Sequence, residues 1–442
     1  MDIIDIILDK RNKKHLSREQ IEYFVRGVTQ KSIPDYQISA LLMAIVLNGM
    51  DTEEMTNLTL LMAESGSTCD LANIGDLIID KHSTGGVGDK CTPIILPLVA
   101  SFGVPVVKLS GRGLGFTGGT IDKMESVTGF NTAIPVSDFP AYVNQCHIVL
   151  SAQTPELAPA DKELYSIRDV TGTVDSIPLI ASSIMSKKIA GGANAIVLDI
   201  TCGDGAFMKE EKDARLLAEA MIGIGRKAKR SVTCVISSMR QPLGFSVGNI
   251  LEMREVEEFF SGSRSKDLEH VCFVLAASML QFSSLDKGEE LSVWIKRCRN
   301  KLKSGEAKEA FLRFIRSQGG RMNRDGSPVY RDTPKAIAEI RSSTSGFVQD
   351  VFASEIGKAS VRLGAGRMNR SDRIDYGAGI LLNRKIGDCV SEGDLLCTLY
   401  LGEKSTLGPD RISEATELCR NAYVISTSEV NPPTEVIDIL NG

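Results

Sequence analysis

The stretch DLIIDKHSTGGVGDKCTPIILPLVASFG, residues 76–103, decides how the rest of the chain is read. A short apolar run, DLIID (76–80), leads into KHSTGGVGDK (81–90), where three glycines, two lysines, a histidine, a serine and a threonine crowd into ten positions. CTPIILPLVASFG (91–103) then reads as a helix. A glycine-rich turn between a strand and a helix presents backbone N–H groups and the positive helix end to an anion. Lys81, Ser83 and Thr92 add a charge and two hydroxyls. Glycines that merely permit a tight turn, beside solvated polar residues, would explain this one loop equally well.

The theme returns downstream. VPVVKL (104–109) reads as a strand, SGRGLGFTGG (110–119) as a loop and TIDKMES (120–126) as a helix start. This second loop offers Lys108, Ser110, Arg112, Thr117 and Thr120, and two such loops on neighbouring strands can converge on one phosphate. Gly113, Gly115 and Gly118 satisfy G-x-G-x-x-G, but a dinucleotide unit also needs an acidic residue closing the next strand. Asp138 instead lies in PVSDFP, a helix start. No GK[ST] closes the first loop, which excludes a Walker A site. A small free anion fits better than a nucleotide phosphate chain.

Further strand-like runs, HIVLSA (147–152), NAIVLDI (194–200) and SVTCVI (231–236), alternate with helical segments. That alternation predicts an α/β fold with a mostly parallel sheet and a ligand site at the carboxyl ends of its strands. The first 66 residues read as helices: in LSREQIEYFV, Ser17 is an N-cap with Gln20 three residues on, ahead of an apolar face of Ile21, Phe24, Val25 and Val28. In ADKELYSIRDVTGTVDSIPLIASSIMSKK (160–188), Arg168 ends one helical stretch, and Ser183 and Lys187 share a face of the next. Solvated surface lysines are the ordinary alternative there.

Composition narrows the classes. With a net charge of −5 and interspersed signs, the chain lacks the footprint of a nucleic-acid or membrane-surface binder. MDIIDIILDKRNKK carries acids inside its apolar stretch, unlike a signal peptide or anchor. Ten cysteines are scattered without a CxxC pair, and none of the four histidines has a cysteine at zinc-ligand spacing. A reduced, cytoplasmic protein without structural metal is expected.

KHSTGGVGDK, KLSGRGLGFTGGTIDKMES, LAPADKELYSIRDVTGTVDSIPLIASSIMSKK, QPLGFSVGNILEMREV and LGAGRMNRSDRID together resemble the pyrimidine-nucleoside phosphorylase and thymidine phosphorylase family, nearly end to end. Lys108 before Leu109 and Ser110 resembles the branch that accepts both uridine and thymidine. The resemblance implies a homodimer that reversibly cleaves pyrimidine nucleosides with inorganic phosphate, giving base and α-(deoxy)ribose 1-phosphate, without an organic cofactor. It also implies a helical domain (1–66 plus about 155–192), an α/β domain with a helical connector (67–154 plus 193–343) and a C-terminal α+β domain (344–442).

Position by position, the resemblance assigns phosphate to Lys81, Ser83, Thr92, Lys108, Ser110 and Thr120. It assigns the pyrimidine to Arg168, Ser183 and Lys187, with His82 near the 2-oxo group, and a potassium ion to Gly88, Lys90 through its carbonyl, Leu243, Ser246 and Glu255. Cleavage leaves positive charge on the sugar and negative charge on the departing base, so His82, Arg168 and Lys187 are the expected catalytic groups.

Phe116, Thr128 and Thr201-Cys202 depart from the family pattern, which has histidine, proline and a segment beginning with lysine there. Near the C-terminus, GFVQDV and IGDCVSEGDLLCTLYLG have the rhythm of a barrel-sandwich domain but lack the attachment lysine motif, so a structural role is expected. The rival readings are a thymidine-only phosphorylase, an anthranilate-phosphoribosyltransferase-like enzyme of similar layout and a non-catalytic nucleoside-binding relative.

Overall fold

The protein is described from a computed structural model that covers residues 1–113, 115, 118–154, 156–369 and 372–442. Phe116 and Thr117, singled out above, lie outside the described residues.

Helices Ile3–Arg11, Arg18–Thr29, Asp35–Asn48 and Thr52–Ala63 open the chain. Two begin in capping boxes, Ser17 with Gln20 and Asp51 with Glu54, in which side chain and backbone satisfy each other's free N–H groups. The apolar face of Ile21, Phe24, Val25 and Val28 is buried. Helices Pro159–Thr171 and Ile177–Ala190 return from mid-chain to this bundle, where Ala160, Leu164, Ile167 and Leu179 join its core. The helical domain is therefore discontinuous.

Five parallel strands form the body of the central sheet: Ile79–Ser83 (β1), Val106–Ser110 (β2), Ile148–Ala152 (β3), Ala195–Cys202 (β4) and Ser231–Ser238 (β5). They lie in the order β5-β4-β1-β2-β3. The two glycine loops leave the carboxyl ends of β1 and β2, which are neighbours. All residues of β4 are buried, as expected for a central strand covered on both faces. Helix Cys91–Ala100 is wholly buried beneath the sheet, and helices Asn249–Ser261, Lys266–Gln281, Leu291–Lys303 and Glu306–Ser317 extend that core.

The C-terminal domain contains two small sheets, and here the expected boundaries shift. Ser246–Val247 (β6), inside the α/β segment, is lent to one of them. Pro334–Arg341 (β7) pairs with a strand of that same sheet, so the domain begins before residue 344. Gly346–Val351 (β8), Gly379–Leu382 (β9), Cys389–Val390 (β10), Leu395–Gly402 (β11) and Tyr423–Ser426 (β12) complete it, in orders β10-β8-β12 and β6-β9-β11-β7. The last strand, Val436–Asn441 (β13), leaves the domain and pairs antiparallel with β5, covering that edge of the central sheet. The segment 344–442 is thus divided between two domains.

Candidate active site

A cleft of about 410 Å³ opens between the sheet and the helical domain. From the sheet side it is lined by His82, Ser83, Thr92, Lys108, Ser110 and Thr120; from the helical side by Arg168, Ser183 and Lys187. Nine residues named from sequence therefore meet in one cavity, supplied by two domains. Its walls also include Asp89 and Arg112 from the loops, and Gln153, Tyr165, Val174, Ile180, Ile184, Phe207, Met208 and Leu217. Those outside the loops are ordinary apolar and polar residues whose type and spacing carry no functional signal in the sequence.

The first loop holds its shape by close backbone approach. Gly88 has φ +74°, and a Cβ there would stand 2.6 Å from the Leu243 carbonyl oxygen. Thr201 Nα donates to Thr84 Oγ1 at 3.0 Å, and the two hydroxyls lie 3.0 Å apart. The Thr201 departure thus fastens the loop to β4. In the second loop, a Cβ on Gly119 would fall 2.0 Å from Gly113 N, so the turn closes only around glycine.

Asp122 anchors that second loop. Its carboxylate accepts from Gly113 N at 2.8 Å, from Arg112 at 3.2 Å and from Arg367 at 3.1 Å. Arg367 belongs to LGAGRMNRSDRID, so this motif ties the C-terminal domain to the loop. Arg112 is also bidentate to Glu125, at 2.6 and 2.8 Å, so its charge at the cleft rim is already paired with carboxylates of the loop and its helix.

Buried ion pairs set the electrostatics. Lys81, expected to face a phosphate, is fully buried behind the cleft wall and pairs with Asp199 at 3.1 Å. Burial pushes its pKa down, but Asp89 and Asp199 more than offset this and hold it above the usual lysine range. Asp89, Cys91 and Asp199 bring donor atoms within 4.8 Å of one another, yet the Lys81 ammonium already supplies the cation beside them. Asp89 also caps Cys91 N at 3.1 Å, so the helix start behind the first loop carries its own carboxylate.

Lys188 donates to Asp80 at 2.8 Å and to the Leu109 carbonyl at 3.1 Å. Lys108, 3% exposed, reaches the same carbonyl at 3.1 Å but lies 3.9 Å from the other Asp80 oxygen, which has no hydrogen-bond partner. Lys108 is accordingly a buried amine without a carboxylate of its own. Burial, and then the neighbouring ammonium of Lys188, lower its pKa well below the usual lysine value. His82 is likewise pushed well below the usual imidazole range, first by burial and then by Lys188, Lys108 and Lys187. It is neutral at physiological pH in this state.

At the other end of the cleft, Lys187 donates to Asp161 at 2.7 Å and to Ser183 Oγ at 3.1 Å. The sequence had marked the Ser183–Lys187 pair but not Asp161. Arg168 donates to three carbonyls, of Thr173 (3.2 Å), Val174 (2.8 Å) and Leu179 (3.1 Å). It therefore organises the turn between its helix and the next, and the three bonds leave two of its five N–H groups uncommitted. Tyr165 lies under its guanidinium, 5.6 Å from ring centroid to Cζ.

The five groups assigned to a potassium ion are also brought together, apart from the cleft. Lys90 enters with its side chain: its ammonium donates to the Leu243 carbonyl at 2.6 Å and pairs with Glu255 at 2.9 Å. Glu255 in turn accepts from Phe245 N and Ser246 N, each at 2.8 Å.

Comparison with known proteins agrees with this organisation. Residues 4–66 match the glycosyl transferase family helical bundle domain, residues 75–308 the glycosyl transferase family a/b domain, and residues 347–426 the pyrimidine nucleoside phosphorylase C-terminal domain. The pyrimidine-nucleoside phosphorylase of Staphylococcus epidermidis is 47% identical over 91% of this chain and 93% of its own. That of Geobacillus stearothermophilus is 43% identical over 99% of both chains, and that of Bacillus subtilis 46% over 92% and 93%. The crystal structure of anthranilate phosphoribosyltransferase from Thermus thermophilus superposes with a TM-score of 0.57, covering 72% of this chain and 99% of its own at 15% identity. That likeness concerns the fold alone.

Proposed function

The chain belongs to the glycosyl transferase family that includes the pyrimidine-nucleoside phosphorylases, and on that premise we propose that its cleft cleaves pyrimidine nucleosides with inorganic phosphate. Uridine, thymidine and deoxyuridine are the proposed substrates, with free base and α-(deoxy)ribose 1-phosphate as products of a reversible reaction serving pyrimidine salvage. The observation that carries this reading is Lys108. A buried lysine amine that lines a cleft and lacks a carboxylate of its own is completed, and protonated, by an incoming anion.

Phosphate sits, in this proposal, among Ser83, Thr92, Lys108, Ser110 and Thr120, with Lys81 setting the potential from behind. The pyrimidine sits against Arg168, Ser183 and Lys187. A phosphate oxygen forms a bond to the anomeric carbon as the bond from that carbon to the base nitrogen breaks, and the electron pair leaves with the base. Arg168 and Lys187 face the negative charge that develops on the ring, where fixed donors in a water-poor site are worth most. His82, neutral, contributes a hydrogen bond to the 2-oxo group rather than a full proton. No organic cofactor takes part.

We place the enzyme in the cytoplasm, a reading supported by the ten free cysteines. No helix among the described residues is long and apolar enough to cross a membrane. A homodimer is favoured by the exposed apolar side chains Ile4, Leu8, Met43 and Leu47 on two packed N-terminal helices. Base release from uridine, thymidine and deoxyuridine, followed by ultraviolet absorbance in phosphate buffer, tests the substrate range. Turnover of thymidine alone would favour the narrower enzyme, and no release from any of the three would favour a binding protein.

A further inference from the structure

The segment Gln241–Val247 carries no side chain that lines the cleft, yet three consecutive carbonyls in it are each held by a lysine ammonium, one fully and one partly buried. Lys385, from the C-terminal domain, donates to Pro242 O at 2.8 Å and Gly244 O at 3.0 Å. Lys90 takes the carbonyl between them, Leu243 O, at 2.6 Å, and its charge meets Glu255 at 2.9 Å. Lys90 is fully buried. Its ammonium also stands 2.7 Å from where a Cβ on Gly244 would lie, so the segment wraps closely around it.

These are the groups that the family resemblance assigns to a potassium ion, and they do not fit one here. The Leu243 carbonyl and the Glu255 carboxylate already converge on a monovalent cation that the chain carries covalently. An ammonium and a potassium ion are close in size and equal in charge, and both demand oxygen ligands. A second cation in the same cage would add like-charge repulsion at low dielectric and would share donors already committed. The geometry points to Lys90 as a built-in replacement for the ion. It is a positioning residue: Leu243 N donates to Val87 O at 3.1 Å, so the ammonium steadies the first glycine loop through its neighbour without touching the cleft.

The inference concerns the loop and stands whether or not the cleft performs phosphorolysis. Its test is thermal unfolding of the full chain in potassium, sodium and choline chloride at matched ionic strength. The wild type is expected to unfold at the same temperature in all three. Lys90→Ala removes the ammonium but leaves its oxygen ligands and a space of the right size. It should unfold roughly 5 °C or more below wild type in choline and regain part of that loss in potassium. Stabilisation of the wild type by potassium over choline would overturn the inference, since it would show an ion bound beside Lys90. A folded Lys90→Ala variant indifferent to the cation would also overturn it. If the variant does not fold in any salt, the wild-type comparison still decides.

Discussion

Lys108 stands 3.9 Å from Asp80 Oδ1, while Lys188 holds Asp80 Oδ2 at 2.8 Å. One carboxylate serves two buried lysines, and the one left over faces the cleft. With its pKa already depressed, Lys108 is more easily protonated once a dianion sits beside it. The proton affinity is then higher in the bound state, so binding takes up protons and weakens as pH rises. The window runs from the depressed pKa of free Lys108 up to its raised value beside the bound anion. Calorimetry in buffers of different ionisation enthalpy, where phosphate is already dianionic, should show net proton uptake. Lys108→Met should abolish both the uptake and most phosphate affinity.

Lys187 and Asp161 form a partly buried pair at 2.7 Å. Lys187→Ala should lower the rate of base release by about a hundredfold or more, with a much smaller effect on phosphate binding. It also strands the Asp161 carboxylate, at a cost of about 1–3 kcal/mol in stability. Adding Asp161→Asn should restore stability to chemical denaturation but not turnover. Recovery of the rate in the double variant would make Lys187 a structural residue only.

Asp122 joins Gly113, Arg112 and Arg367. Asp122→Ala removes charge-assisted bonds worth about 1.5–3 kcal/mol each and frees the second loop from the C-terminal domain. The KM for phosphate should rise about tenfold or more, while the KM for the nucleoside changes little. Equal changes in both would mean that the loop does not serve the phosphate alone.

Much of this was legible in the sequence because it is local. Strand, glycine loop and helix follow one another over residues 76–103, and helical periodicity aligns Ser183 with Lys187. The partners were not legible, because each lies far along the chain. Asp199 meets Lys81 across 118 positions, and Asp80 meets Lys188 across 108. Lys81 was assigned to phosphate with its loop neighbours, but only the folded sheet shows its ammonium turned onto β4. Lys90 was expected to act through its carbonyl, and nothing local reveals that its side chain reaches Glu255. β6 is two residues long and β13 returns from the C-terminal domain, so no periodic pattern announces either.

In the proposed arrangement the two halves of the substrate are held by different domains, and closure of the cleft is expected to bring the phosphate oxygen within about 3–3.5 Å of the anomeric carbon. Connections near Gly66 and Gly191-Gly192 join the two domains, whereas Gly172 lies between two helices of the helical domain. A Cβ on Gly66 would meet Glu156 O at 2.2 Å and one on Gly192 (φ +84°) would meet Cys69 O at 2.9 Å, so both crossings pass through close backbone contacts. Small-angle scattering should give a smaller radius of gyration with phosphate and a nonreactive nucleoside analogue together than with neither. An unchanged profile at saturation would remove closure from the account.

The most direct test of the central claim is to incubate the enzyme with uridine or thymidine, with and without inorganic phosphate, and to follow the products by phosphorus NMR. The account predicts free base only when phosphate is present, with one equivalent of α-(deoxy)ribose 1-phosphate for each base released. Base release that proceeds equally well without phosphate, leaving no sugar phosphate, would make the enzyme a hydrolase and contradict it.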